Sequence, residues 1–97
     1  MLTHDNIVKA IEKAVREFPL TKVSYFGSYA HGSATENSDL DLLVEFEQPA
    51  VSLLTIIGIK HEIEDELGVP VDVIHAPIPE DALITIDKEV LVYEQQG

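Results

Sequence analysis

The chain has no cysteine. Disulfides and thiolate metal sites are therefore excluded. Basic residues are scarce, 6 against 18 acids, and the formal net charge is −12. A direct nucleic-acid binder needs a basic face, so that class is excluded as well. The acidity fits a protein whose partner is basic or one that binds cations, and it also fits solubility alone. No apolar run approaches the length of a membrane span. The opening MLTHDNIVKAIEKA carries charge within five residues and lacks the apolar stretch of a signal peptide, so a cytoplasmic location is the expectation. There is no internal repeat and no low-complexity segment. What remains is a chain of 97 residues, 45% hydrophobic. That suffices for a single domain over 1–97 with a modest core.

Hydrophobic spacing gives the elements. Thr3 or Asp5 can cap a helix whose apolar face is Ile7, Ala10, Ile11, Ala14, Val15 and Phe18, with Pro19 as its stop. KVSYF, Lys22 to Phe26, reads as a strand ended by Gly27. A short turn or helix around Tyr29-Ala30 and a polar loop follow. Leu40 to Phe46 is the clearest strand, with Leu40, Leu42, Val44 and Phe46 on one side and Asp39, Asp41, Leu43 and Glu45 on the other. Ala50 to Leu67 is helical, with Leu53, Ile56, Ile57, Ile63 and Leu67 on a broad apolar face, Gly58 inside it and Gly68 closing it. Val69 to His75 is a third strand. Pro79-Glu80-Asp81 looks like a helix start, and Val90 to Tyr93 a short final strand. The mixed order predicts an α+β fold: a small mixed β-sheet with helices packed on one face and the other face open. Ile56, Ile57 and Ile59 span too wide an arc for one buried stripe. Part of that helix either lies in an interface, with a partner or a second copy, or is sandwiched between the sheet and the C-terminal segment.

The chemistry concentrates in GSYAHGSATENSDLDLLVEF. On a strand, Asp39 and Asp41 point the same way. Side-by-side carboxylates repel unless a cation sits between them, and oxygen-only ligands suit Mg²⁺ shared with substrate phosphates. The Gly27-Ser28 turn can offer backbone N–H groups to phosphate, and Ser38 can brace the loop before the first acid. If the third strand neighbours the second, Asp72 joins Asp39 and Asp41, and three acids surround one divalent-ion site. His4, His61 and His75 have no metal-ligand spacing and read as surface or structural.

Gly-Ser, ten residues, Asp-x-Asp and a third Asp on a later strand is a pattern that resembles the minimal nucleotidyltransferases of the DNA polymerase beta-like superfamily. Gly27, Ser28, Asp39, Asp41 and Asp72 match it, and the likeness runs from the helix before Gly27 to KEVLVYE. The resemblance implies the nucleotidyltransferase fold and a Mg²⁺-dependent reaction, with two ions and ATP as substrate. Asp39, Asp41 and Asp72 would be the catalytic and metal-holding residues, and Gly27, Ser28 and Ser38 would lie on the nucleotide side. It further implies transfer of AMP to a tyrosine of a helical HEPN ribonuclease toxin, with this chain as antitoxin. Masking of that toxin by contact alone is the alternative, and transfer to a small molecule such as an aminoglycoside a weaker one. One position departs from the pattern. His31 stands where many members carry Arg: either phosphate binding is weaker or depends on pH, or His31 is an exposed turn residue.

Overall fold

The structure, a computed structural model, describes residues 2–48, 50–76, 86 and 88–95. The first helix, α1 (His4–Ala14), starts at Thr3. The Thr3 hydroxyl accepts from the Asn6 backbone N–H at 3.2 Å, and Asn6 Oδ1 accepts from the Thr3 N–H at 3.0 Å. This reciprocal capping satisfies donors that a helix start otherwise leaves bare. The helix ends at Ala14, well short of Pro19. The chain tightens there, with Glu17 N–H on Ala14 O at 3.0 Å, and the restriction that Pro19 places on Phe18 keeps the helix from resuming.

The remaining elements are β1 (Leu20–Phe26), α2 (Ser28–His31), β2 (Leu40–Phe46), α3 (Leu53–Leu67), β3 (Val71–His75) and β4 (Glu89–Glu94). They form a four-stranded sheet in the order β3-β2-β1-β4. β1 pairs antiparallel with β2 and β4, whereas β2 and β3 run parallel. A parallel pair needs a crossover, which α3 supplies. The mixed sheet and the α+β class match the sequence expectation. The helix expected from Pro79-Glu80-Asp81 lies outside the described residues.

The apolar side of β2 behaves as its alternation dictates. Leu40, Leu42, Val44 and Phe46 are buried, with Tyr25 and Val23 as cross-strand partners of Leu42 and Val44. Ile7, Ala10, Ile11 and Ala14 of α1 and Ile59 and Ile63 of α3 complete this core. Each large side chain removed from water contributes about 1.5–3 kcal/mol. Two details differ from expectation. The acid-bearing face of the sheet is closed at its centre, because Ser24 is 1% exposed and Phe26 is also buried. Ser24 satisfies its hydroxyl on that face by donating to Glu89 Oε2 at 2.5 Å. On α3, the inward side chains are Ile59 and Ile63, while Leu53, Leu54 and Ile57 are 70%, 79% and 37% exposed. The helix docks chiefly by its second half, so Leu53, Leu54 and Ile57 of its first turns face outward while Ile56 packs against the core.

Candidate active site

β2 and β3 position the acids. Their parallel register makes Asp41 and Asp72 direct partners. Neighbouring strands stand about 4.8 Å apart, so the two carboxylates project side by side from one face. Asp39 precedes Asp41 by two residues and lies on the same face at the mouth of β2. All three fields meet at Asp41. Its carboxyl is pushed above the ordinary value by burial, then by the charge of Asp72, then by that of Asp39. Lys60 Nζ, 3.9 Å from Asp72 Oδ1, offsets part of this charge, and among the described residues no set of three or more such ligands closes into a cation cage. The donor set nonetheless fits a hard divalent ion. It is all oxygen, and its mutual repulsion is what such an ion relieves.

Gly27 packs directly against this cluster. It sits between β1 and α2 at φ 72° and ψ −147°, a conformation that side-chain-bearing residues avoid. A Cβ there would fall on the Asp41 carboxylate. Glycine is thus required twice, for the backbone angle and for room beside Asp41. Ser28 opens α2, and its carbonyl accepts from Ser33 N–H at 3.0 Å, which closes the turn. His31 ends α2, with its backbone N–H on Gly27 O at 3.1 Å. Ser38 braces the loop as expected: its hydroxyl accepts from Thr35 N–H at 2.8 Å, and its own N–H donates to Thr35 O at 3.0 Å. That hydroxyl is engaged in the loop that delivers Asp39. Two of the remaining histidines are structural: His4 Nδ1 lies 2.8 Å from the Tyr25 hydroxyl, and His75 packs edge-on against Phe46.

The sequence reading missed Lys60 and Glu64. Lys60 Nζ donates to Val71 O at 2.7 Å, and Glu64 Oε2 accepts from Val71 N–H at 2.9 Å. Together they clasp both outward-facing backbone groups of Val71, on the free edge of β3, one residue before Asp72. Lys60 Nζ also lies 3.9 Å from Asp72 Oδ1 and 3.7 Å from Glu64. In the sequence the two residues read only as an i,i+4 ion pair on a helix surface. Their function emerges when the crossover folds α3 beside β3. Beyond Asp72, a cleft of about 550 Å³ runs from Asp41 and Asp72 along Lys60, Leu53, Ile56 and Ile57.

Residues 7–94 match the nucleotidyltransferase domain family. The chain belongs to that family. The Protein adenylyltransferase MntA of Thermococcus cleftensis is 41% identical over 71 residues, 72% of this chain and 71% of that protein. Among solved structures, a toxin–antitoxin crystal structure with AMP-PNP superposes with a TM-score of 0.75 at 20% identity, covering 98% of this chain and 76% of that one. A Shewanella oneidensis complex of a tri-AMPylated HEPN toxin with its MNT antitoxin gives a TM-score of 0.69 at 15% identity, over 96% of this chain and 74% of that one. At those identities the superpositions establish the nucleotidyltransferase fold. The fold expected from the Gly27-Ser28 to Asp41 stretch is thus the fold observed. Among the described residues no helix is long and apolar enough to cross a membrane.

Proposed function

We propose that residues 1–97 act as a single cytoplasmic adenylyltransferase domain that moves AMP from ATP onto a tyrosine hydroxyl of a HEPN ribonuclease partner and so serves as its antitoxin. The observation that carries this reading is the pairing of Asp41 with Asp72 beside Gly27. Kinship with a protein adenylyltransferase supports the reaction type. The toxin–antitoxin likeness supports the partner.

In the reaction, the acceptor oxygen attacks the α-phosphorus of ATP. A new P–O bond forms, the bond to the bridging oxygen of the β-phosphate breaks, and pyrophosphate leaves. Asp72, the more exposed of the paired acids, takes the hydroxyl proton and passes it to solvent. Gly27 lets the chain approach the phosphates, and Ser28 adds a hydroxyl and an N–H. Asp39, Asp41 and Asp72 would hold Mg²⁺, as two ions. The chemistry such ions would supply there is neutralisation of charge building on the transferring phosphate.

Label transfer from α-labelled ATP to the HEPN partner tests the reading. The double change Asp39→Asn with Asp41→Asn should lower it by at least about 100-fold. Undiminished transfer would remove these residues from the site. The exposed Leu53, Leu54 and Ile57 also favour a second reading, masking of the toxin by contact. Full neutralisation by the double variant would support masking.

A further inference from the structure

We propose that the first turns of α3, carrying Leu53, Leu54 and Ile57, are the surface on which the protein acceptor docks, and that the occupant is a basic segment with an apolar side chain next to its reactive hydroxyl. The proposal rests on the adenylyl-transfer reading above and adds where the acceptor sits. Strand order supplies the geometry. In β3-β2-β1, Asp41 lies in the middle, Gly27 follows β1 on one flank, and Asp72 with α3 lies on the other. In-line transfer puts the attacking oxygen and the leaving pyrophosphate on opposite sides of the phosphorus. With the phosphates at Gly27 and Ser28, the acceptor must come from the α3 flank.

That flank has the matching chemistry. The cleft beside Asp41 and Asp72 is walled by Leu53, Ile56 and Ile57. Leu53 and Leu54 are 70% and 79% exposed, although α3 is otherwise anchored by the buried Ile59 and Ile63. Single exposed apolar residues are ordinary, but Leu53 and Ile57 on the wall of a reactive cleft, with Leu54 exposed next to Leu53 in the chain, mark a contact surface. The charge fits a basic partner. The three acids of the site are taken up by the cations they would hold and Lys60 also lines the cleft, so the attraction comes from the chain as a whole, with a net charge of −12. Apolar contact would hold the segment, and the acidic field would draw it in.

The test is Leu53→Gln with Leu54→Gln in the full chain, two changes at exposed positions that leave the core intact. Three quantities are measured: steady-state transfer to a HEPN ribonuclease supplied as acceptor, the Kd of the complex by calorimetry, and AMP-PNP affinity by thermal shift with Mg²⁺. The expected result is a KM for the protein acceptor and a Kd each raised at least tenfold, with AMP-PNP affinity within twofold of the parent. Loss of AMP-PNP affinity by the same factor would make this wall the nucleotide's and overturn the proposal. Unchanged KM and Kd would overturn it too. If the parent chain binds the HEPN protein without transferring label, the catalytic reading fails by itself, and the Kd of the variant still decides the docking surface.

Discussion

Gly27 is where the smallest chemical change should do the most damage. Gly27→Ala places a methyl group on the Asp41 carboxylate and forces a side chain into a glycine-only region of backbone space. Strain of that kind costs about 1–3 kcal/mol. The melting temperature should fall by about 5–20 °C in a calorimetric scan, with transfer lost at the same time. Lys60 makes a subtler case. Lys60→Met removes the donor on Val71 O and the cation beside Asp72, so Asp72 loses its fixed position opposite Asp41. A displacement of about 1 Å at a reacting group costs up to about 100-fold in rate. Single-turnover transfer should drop towards that figure, and Lys60→Arg, which keeps both the charge and the donors, should recover a large part of it. Equal rates in Lys60→Met and the parent would show that the clasp does not position Asp72.

At the scale of elements, α3 is the segment that sequence described least well. Its existence, its capping by Ser52 and its termination at Gly68 are local matters, and Gly68 indeed closes the helix in the left-handed conformation. Which side of it meets the sheet is a tertiary matter. Ile56, Ile57 and Ile59 all look equally apolar in sequence, yet only Ile59 is fully buried. The strand acids were legible for the opposite reason. A period of two fixes the face of every residue in β2, so Asp39 and Asp41 could be placed from Leu40 and Leu42 alone. Asp72 needed the pairing of β3 with β2, which its motif spacing anticipated. Lys60 and Glu64 could not be anticipated, because their partner is a backbone edge brought to them by the crossover. Inside α3, Gly58 faces Phe18, and a Cβ would meet that ring at 3.4 Å, an ordinary contact. Gly58→Ala should therefore gain about 1 kcal/mol of helix stability. A melting temperature raised by about 4–8 °C would confirm it, and a drop would mean that Phe18 cannot yield.

The whole molecule is set by its excess of acid. Besides Asp41, Glu62 has its carboxyl raised above the ordinary value, by burial, then by its hydrogen bond with Glu17 and the charge of that neighbour. A carboxyl whose pKa is higher in the folded state binds its proton more tightly there. The folded protein is then penalised above that raised value and relieved as pH falls towards the ordinary carboxylate range. The melting temperature in metal-free buffer should accordingly rise as pH falls from neutrality towards the ordinary carboxylate range. Glu62→Gln should flatten the profile and gain at most about 2–4 °C at pH 7. A melting temperature that falls steadily over that range would contradict the assignment of these two groups.

The clasp on Val71 has one more consequence, for how copies of this protein meet. A sheet's outer strand offers bare amide and carbonyl groups to any passing chain, and that is how strands recruit strangers into fibres. Lys60 and Glu64 already occupy the pair at Val71. That one pair is thereby closed to strand-on-strand recruitment, and at the other border the exposed acids Glu89 and Glu94 stand at the two ends of β4.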